Sequence, residues 1–327
     1  MKTRFAFTVA LAAVALAATA LANPAAAQNK TVTLGTASTG GTYFIYGGVV
    51  ATLLTNKIPG LTVSTQQTQG PNQNIVLVSE KKVELGMTTM GIAFHAWEGT
   101  PDGWTKGKKY DQIRALFPMY DTPFHFVALQ KSGIKKVADL QGKKAGVGPR
   151  AGTCGTYFPM MFKALKIDAT IRFGQASDMG NQLSDGLIDA FPFCAGVPIS
   201  VYSEIEASKD VTFFTFSDAE IAALKKAIPE LSDSVVPKGT YKNLKEDHKT
   251  VGVYNFFIVH KDLEPELAYK ITKAVLENNA ELVKGHAAGV ETVLRNWDKN
   301  TFLPFHPGAV QYYAEKGIKL PDKLVGK

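Results

Sequence analysis

Two short stretches of this sequence are nearly the same, ASTGGTYF at Ala37–Phe44 and AGTCGTYF at Ala151–Phe158, with six of eight positions identical. Each stretch follows a β-rich run and opens an amphipathic run of helical length, a pattern typical of a strand-to-helix turn. Glycine and threonine open many helices, but six matches in the same topological position favour two related units in one chain.

The pattern around both stretches alternates between strand and helix, which predicts mainly parallel sheets. The predicted strands are Thr31–Thr36, Leu61–Thr68, Val83–Thr89, Ile113–Tyr120, Phe124–Gln130, Lys143–Gly148, Thr170–Gly174, Leu187–Phe193, Val211–Phe216 and Val251–His260. The predicted helices are Tyr43–Asn56, Gln73–Lys81 with Asn72 as its N-cap, a short helix ending at Glu98, Thr153–Leu165, Ala176–Asp185, Pro198–Ser208, Pro265–Asn278, a region around Gly289–Asn296, and Pro307–Lys316. We therefore predict an α/β fold with two pseudo-symmetric lobes.

The first 27 residues predict a cleavable secretory signal peptide. Lys2 and Arg4 precede an apolar stretch, Phe5–Leu21, and Ala25 and Ala27 form a small-residue cleavage pattern. An uncleaved membrane anchor is the alternative, which the high alanine content disfavours because it makes the segment weakly hydrophobic. We predict cleavage after Ala27 and a soluble, periplasmic protein, with about two domains by length.

The composition is that of a globular protein, with 45% hydrophobic and 20% charged residues. The formal net charge is +7, and the basic residues occur as scattered pairs. Such pairs are typical of a solvated surface, whereas nucleic-acid-binding proteins concentrate them in a patch. We expect no nucleic-acid partner, and a mild positive field would attract a small anion.

The chain has two cysteines, Cys154 and Cys194. An exported protein permits a disulfide, but two small buried residues are the alternative, since the sequence does not measure their distance. Cys154 also follows a strand at a helix opening, where the pKa of a thiol is lowered, so a cysteine-dependent enzyme is a rival interpretation. The six histidines are dispersed and no metal-ligand spacing is present. We predict no catalytic residue, no cofactor and no metal.

The repeated stretch has the chemistry of an anion site. The first N–H groups of a helix have no partner within the helix, and small residues let a ligand approach them. The positive end of the helix dipole favours negative charge there, and ligands of open α/β sheets bind at the carboxyl ends of the strands. Two lobes that face each other would present two such helix openings to one cleft.

The chain resembles a known family at these residues. LGTASTGGTYFIYGG, at residues 34–48, resembles the N-terminal signature of TAXI-type solute receptors of tripartite ATP-independent periplasmic (TRAP) transporters. The similarity continues in order through TQGPNQNIVLVSEKKVELGM, DLQGKKAGVGPRAGT, DGLIDAFPFCAGVP and PFHPGAVQYYAEKGI. It implies a two-lobed periplasmic binding protein fold of the type II topology, joined by hinge strands. It also implies that solute passes to a permease driven by an ion gradient.

The resemblance assigns candidate ligand-binding residues in the first lobe. They are Ser38, Thr39, Gly41, Thr42, Tyr43, Thr68, Thr89 and Met90. A buried core aromatic is the alternative role for Tyr43. The family often has an acid at the end of the third strand, where this chain has Thr89-Met90, so a partner for an amino group is missing there.

In the second lobe the candidates are Arg150, Thr153, Cys154, Gly155 and Phe193. Arg150 replaces a small residue of the family, and a guanidinium can hold a carboxylate through two parallel hydrogen bonds. The alternative is a surface arginine. Thr153, Cys154 and Gly155 would donate helix-opening N–H groups, and Phe193 would form a wall.

These observations favour a monomeric binding protein for a small anionic solute, a dicarboxylate or 2-oxoacid such as 2-oxoglutarate, or glutamate. Tyr120, Asp121 and backbone carbonyls remain candidates for receiving an ammonium group. A glutamate- or glutamine-binding protein that serves an ABC importer or a sensor is the alternative. We predict lobe 1 at residues 28–121 and 255–327, lobe 2 at 122–254, and closure about hinges at Tyr120–Phe124 and Val251–Asn255.

Overall fold

The structure is a computed structural model that describes residues 29–326. The predicted signal peptide, residues 1–27, lies outside the described residues. Among the helices that are described, none combines the length and the apolar character needed to cross a membrane.

The strands of the described chain form a mixed sheet system in which short strands alternate with helices. Their bounds are β1 (Lys30–Gly35), β2 (Leu61–Gln66), β3 (Leu85–Thr89), β4 (Ile113–Leu129), β5 (Lys144–Val147), β6 (Thr170–Phe173), β7 (Ala190–Cys194), β8 (Val211–Phe214), β9 (Ser232–Val236) and β10 (His248–His260).

The helices follow the strands in the order expected of repeated β–α units. Their bounds are α1 (Thr42–Lys57), α2 (Pro71–Ser79), α3 (Met90–Glu98), α4 (Thr153–Ala164), α5 (Ala176–Ser184), α6 (Ser200–Ser208), α7 (Asp218–Ala227), α8 (Pro265–Glu277), α9 (Asn279–Gly285) and α10 (Pro307–Glu315). Short 3₁₀ helices lie at Gln130–Ser132, Val137–Leu140, Ala287–Glu291, Leu294–Lys299 and Asp322–Leu324.

The strand order repeats in the two halves of the sheet system. The order is β2-β1-β3-β10-β4-β7-β5-β6. Three strands form a triplet at each end of this order, β2-β1-β3 in the first half and β7-β5-β6 in the second. Within each triplet the central strand is parallel to its neighbours, β1 to β2 and β3, and β5 to β6 and β7. The long strand beside each triplet is antiparallel, β10 to β3 and β4 to β7. The predicted α/β fold with two pseudo-symmetric lobes of type II topology is confirmed.

Two long strands run between the two halves. β4 pairs with β10 along its first part and with β7 and β8 from Phe124 onward. β10 pairs with β9 at its start and with β3 at its end. They face each other at Thr122 and Val253, within the segments predicted as hinges. The division at residues 121/122 and 254/255 stays a prediction.

The strand of each triplet that lies next to a long strand, β3 beside β10 and β7 beside β4, is deeply buried. Every residue of β3 and of β7 is buried, because helices and neighbouring strands cover the sheet on both faces. This burial explains the continuous apolar sequence of β7, AFPFC. Their carboxyl ends meet near the centre of the molecule, where the candidate site lies.

Several predicted element bounds are wrong for identifiable reasons. Asn72 is not an N-cap, because Gly70 caps α2 and Pro71 occupies its first turn, where the ring of proline fits the helix. The two runs at 113–120 and 124–130 form one strand, β4, which tolerates Pro118 through a register shift against β10. Helices α7 and α9 and strand β9 were not predicted. The predicted helix around Gly289–Asn296 consists of two 3₁₀ helices.

Candidate functional site

A small cavity lies between the two halves at the carboxyl ends of their strands, where anion-binding residues were predicted. It encloses about 50 Å³, space for a few water molecules. It is lined by Ala37, Ser38, Gly41, Thr42, Tyr43, Gln69, Gly70, Pro71, Thr122, Gly148, Pro149, Gly152, Thr153, Cys154, Phe193, Cys194, Ala195 and Asn255.

Three helices begin at this cavity. The N-caps of α1, α2 and α4 are Gly41, Gly70 and Gly152, and none of the three helices has a side-chain hydrogen bond at its cap. Their first-turn N–H groups carry partial positive charge and lack partners within the helix. The lining includes no Asp, Glu, Lys, Arg or His side chain, so the helix openings dominate the electrostatics of the cavity.

The repeated stretch lies one turn further into α4 than into α1. In the first half the shared Thr-Tyr pair, Thr42 and Tyr43, occupies the first two positions of α1. In the second half α4 begins at Thr153, so the equivalent pair, Thr156 and Tyr157, lies one turn further into the helix. Tyr43 consequently lines the cavity, whereas Tyr157 donates to Glu230 at 3.3 Å.

The floor of the cavity is a hydrogen-bonded network across the hinge strands. The hydroxyl of Tyr43 donates to Oδ1 of Asn255 at 2.6 Å. Nδ2 of Asn255 donates to the carbonyl of Tyr120 and to Oγ1 of Thr122, at 2.5 and 2.6 Å. Burial, and secondarily the neighbouring Tyr46, raises the pKa of Tyr43 well above its usual value, so its hydroxyl remains protonated.

The wall of the cavity combines an aromatic ring and a disulfide. Phe193 at the end of β7 lies close to two glycines, since Cβ atoms added at Gly41 and Gly148 would be 3.6 and 2.7 Å from its ring. Cys154 and Cys194 form a disulfide with a Cα–Cα distance of 5.6 Å. Of the two alternatives left open by the sequence, the disulfide is the one observed.

Of the candidate residues, the structure brings seven into the lining. These are Ser38, Gly41, Thr42, Tyr43, Thr153, Cys154 and Phe193. Thr68 lies just behind it, where its hydroxyl donates toward the carbonyl of Thr36 and accepts from the N–H of Gly70. It therefore positions the N-cap of α2. Gly155 packs against Pro149, whose carbonyl oxygen would lie 2.1 Å from an added Cβ.

Besides Thr68 and Gly155, four further candidates lie outside the lining. Oγ1 of Thr39 contacts Oγ of Ser177 at 2.9 Å, and Oγ1 of Thr89 lies 3.4 Å from Oγ1 of Thr153; both contacts join the two halves. Met90 lines a different cavity, on the side of the hinge strands that carries Asp121.

Arg150 is the fourth of these further candidates outside the lining. It is exposed, and its guanidinium carbon lies 3.8 Å from the ring centroid of Phe173, a cation–π arrangement. The structure therefore does not bring Arg150 to the cavity, and the placement is that of the alternative, a surface arginine.

Sequence reasoning missed the lining residues contributed by the hinge strands and by the loop before α2. Thr122 and Asn255 carried no local signal, because only the antiparallel pairing of β4 with β10 brings them together. Gly70-Pro71 did carry a signal, since proline favours the first turn of a helix and glycine precedes it here.

Asp121, considered as an ammonium partner, lies away from this cavity. Its side chain accepts a hydrogen bond from Oγ of Ser234 and lines the other cavity. Burial raises the pKa of the Asp121 carboxyl above its usual value. The hydrogen bond from Ser234 acts in the opposite direction but does not cancel this rise.

The chain matches a protein family over most of its length. Residues 34–317 match the model of the NMT1-like family. The chain belongs to the NMT1-like family. This match agrees with the broader part of the sequence interpretation, a protein of the periplasmic binding protein type.

Solved structures with a similar fold include a periplasmic binding protein and a substrate-binding protein of a transporter. The MatC protein of Rhodopseudomonas palustris with bound malate is 11% identical, with 88% of this chain and 95% of that chain covered and a TM-score of 0.57. The periplasmic binding protein BugD is 12% identical, with coverage of 88% and 98% and a TM-score of 0.57. A substrate-binding protein of an ABC uptake transporter from Streptococcus pneumoniae with bound histidine is 15% identical, with coverage of 82% and 96% and a TM-score of 0.51. At these identities the similarity establishes the fold.

Proposed function

We propose that this protein is a periplasmic solute-binding protein that captures a small carboxylate by closure of its two lobes. The observation that carries the proposal is the cavity, which has no charged side chain in its lining and lies at the openings of α1, α2 and α4. Main-chain N–H groups at helix openings bind carboxylates without a basic side chain.

The lining favours dicarboxylates or 2-oxoacids, such as 2-oxoglutarate, over glutamate. An amino acid brings an ammonium group, and a buried ammonium needs an acceptor of opposite charge. The side chain of Asp121 faces a different cavity. Main-chain carbonyls and uncharged side-chain oxygens, such as that of Gln69, are the acceptors in the lining, which supports a weaker interaction with glutamate.

For the partner we propose a TRAP-type permease, on the basis of the TAXI-type motifs in the sequence. The alternative is a glutamate- or glutamine-binding protein that serves an ABC importer or a sensor. Uptake of labelled 2-oxoglutarate by spheroplasts of the source organism, with the mature protein added, separates the two. Loss of uptake after collapse of the ion gradient at normal ATP supports the TRAP-type permease, and loss only after ATP depletion supports the ABC importer.

A cysteine-dependent enzyme has little support. Cys154 is bonded to Cys194, and a disulfide sulfur is not a thiolate nucleophile. In the described chain no group of three His, Cys, Asp or Glu side chains has the geometry of a metal site.

A thermal-shift screen with a matched pair of variants tests solute binding. The panel contains 2-oxoglutarate, C4-dicarboxylates, glutamate, glutamine and a neutral sugar at equal ionic strength. A solute at 100 times its Kd adds about 2.7 kcal/mol of stability. Gly41→Val places methyl groups beside Phe193 in the cavity and should abolish the shift, whereas Gly48→Val, in α1 with no heavy atom within 4 Å of an added Cβ, should retain it. A shift with the neutral sugar alone would contradict the proposed anion site.

A further inference from the structure

The disulfide joins two elements that both line the cavity. Cys154 is the second residue of α4, and Cys194 is the last residue of β7. Both cysteines belong to the lining, and they are 4% and 5% exposed. The two cysteines are thus part of the wall that a bound solute would face.

On one side the disulfide holds the opening of α4. This helix begins at Thr153 after Gly152, without a side-chain cap. Its first N–H groups are among those proposed to bind a carboxylate, so the position of Cys154 sets where these donors point.

On the other side the disulfide holds the end of β7 and the loop that follows. Phe193, the neighbour of Cys194, forms the aromatic wall against Gly41. Two residues after Cys194, the carbonyl of Gly196 accepts a hydrogen bond from Oγ1 of Thr42 in the opposite half. One covalent bond therefore links the anion-binding turn, the aromatic wall and a contact that closes the cavity.

A hydrogen bond to Sγ of Cys154 also connects β7 with α4. The N–H of Cys194 donates to Sγ of Cys154 at 2.9 Å. Removing the sulfur bond therefore also changes the environment of this N–H group.

We infer that the disulfide positions the solute site and makes solute affinity depend on its redox state; this inference rests on the proposed function. Reduction by a dithiol transfers two electrons and two protons, breaks the S–S bond, leaves two thiols and converts the dithiol to its own disulfide. The opening of α4 and the end of β7 then move independently, and ordering them again on binding costs affinity. Because linkage is reciprocal, bound solute stabilises the disulfide by the same factor.

The test compares three forms of the mature protein: oxidised, reduced with dithiothreitol, and Cys154→Ala/Cys194→Ala. The chain has no other cysteine, so the reductant acts on one bond. Calorimetric titration with 2-oxoglutarate should give a Kd at least about tenfold higher for the reduced and the alanine forms. Saturating 2-oxoglutarate should lower the reduction potential of the disulfide by about 30 mV for each tenfold difference.

Amide hydrogen exchange without solute keeps this inference separate from the proposed function. Residues 153–158 should exchange faster in the reduced protein, while far-UV circular dichroism stays the same. Equal Kd values in both redox states would overturn the inference. If the oxidised protein binds neither 2-oxoglutarate nor any other carboxylate of the thermal-shift panel, the proposed function fails, and unchanged exchange at residues 153–158 would then overturn the positioning role as well. If the alanine form does not fold, the reduction potential decides, and no shift with 2-oxoglutarate overturns the inference.

Discussion

Asn255 connects the two hinge strands and the first helix opening. It is fully buried, and its side-chain amide bonds Tyr43, Tyr120 and Thr122. A buried amide that loses one of these partners leaves a polar atom without a hydrogen bond, which is costly. The geometry of the cavity floor therefore depends on this residue.

Replacing Tyr43 by phenylalanine tests this network. The change removes the donor to Oδ1 of Asn255 and should lower the free energy of unfolding by about 1–3 kcal/mol. Urea denaturation followed by circular dichroism measures the difference. The control is Tyr110→Phe, since Tyr110 is partly exposed and stacks on Trp104, and its cost should stay below about 0.5 kcal/mol. An equal loss of unfolding free energy in the two variants would argue against a stabilising hydrogen-bond network at Tyr43.

His125 should make stability depend on pH. Burial lowers the pKa of His125 from 6.5 to about 3, and its ring contacts the carbonyl of Pro123 and the hydroxyl of Tyr241. In the unfolded chain His125 is protonated below about pH 6.5, whereas in the folded chain it stays neutral down to about pH 3. The stabilising contribution of neutral His125 is therefore present above pH 6.5 and is lost as the pH falls.

Urea denaturation of the wild type and of His125→Asn at pH 7, 6 and 5 measures this contribution. The free-energy difference between the two proteins should shrink as the pH falls, by up to about 1.4 kcal/mol per pH unit. A difference that is the same at all three pH values would show that His125 titrates normally in the folded state.

At the level of residues, the sequence predicted what local pattern determines and failed where tertiary pairing decides. Thr42, Tyr43 and Phe193 were predicted because they follow strand ends, where parallel strands place ligand groups. Asn255 lies in the middle of a long strand, β10, with no pattern to distinguish it. Arg150 was predicted from its chemistry and from its place at a strand end beside a helix opening, but stacking on Phe173 keeps it outside the lining.

At the level of elements, the start of α4 depends on close packing of its first turn. A Cβ added at Gly155 would lie 2.1 Å from the carbonyl oxygen of Pro149 and 2.8 Å from Cα of Arg150. Backbone atoms cannot move aside easily, so the turn before the helix and the helix itself fit only with glycine here.

Gly155→Ala should destabilise the protein and displace the α4 donors. We expect a loss of about 1–3 kcal/mol from overpacking and weaker binding of 2-oxoglutarate. Gly48→Ala is the matched control in α1, where an added Cβ meets no heavy atom within 4 Å and alanine should add about 0.5–1 kcal/mol. Thermal unfolding and calorimetry measure both effects. The same sign of stability change in both variants would contradict the packing argument.

Helices and strands were predicted well where hydrophobic periodicity is strong and bounded by glycine or proline. Helix α3 ends at Glu98 because Gly99 adopts a left-handed conformation with φ of 66°, as its position predicts. Helix α7 has a capping box between Ser217 and Glu220, a signal present in the sequence that was not used. Strand β9 has the sequence SDSVV, in which polar and apolar residues do not alternate, so its pairing with β10 decides its conformation.

At the level of the whole molecule, the two halves touch on both flanks of the cavity. On one flank the carbonyl of Gly40 accepts from the hydroxyl of Ser200 at 3.0 Å. On the other, Nε2 of His95 lies 2.9 Å from Oε1 of Glu230. Burial alone would raise the pKa of the Glu230 carboxyl. The hydrogen bonds that this carboxyl accepts, among them the one with His95, outweigh burial, and the pKa lies below its usual value. These contacts describe a closed arrangement.

Gly91→Ala should prevent this closed arrangement without unfolding either half. A Cβ at Gly91 in α3 would lie 1.9 Å from the hydroxyl of Tyr157 in α4, a fully buried side chain. We expect the Kd for 2-oxoglutarate to rise at least about tenfold by calorimetry, because closure contributes to affinity. The melting temperature of solute-free Gly91→Ala should remain close to that of the wild type. The control Gly48→Ala should bind 2-oxoglutarate with an affinity close to that of the wild type. Unchanged affinity in Gly91→Ala would show that the contact between α3 and α4 is not part of the bound state.

The repeated stretch predicted the pseudo-symmetry of the whole molecule, since both copies open the first helix of their half. The one-turn displacement between them could not be predicted, because the start of α4 depends on the packing of Gly155 against Pro149. That displacement gives Tyr43 and Tyr157 different partners, Asn255 and Glu230, although their sequence surroundings are nearly the same.

Small-angle X-ray scattering of the oxidised mature protein during a titration with 2-oxoglutarate decides whether solute closes the two lobes. We expect the radius of gyration to fall with increasing solute and to level off when calorimetry shows saturation. The final scattering profile should be that of a more compact particle than the solute-free protein. A profile that stays the same from zero to saturating solute, in protein that calorimetry shows to be loaded, would contradict capture by hinge closure.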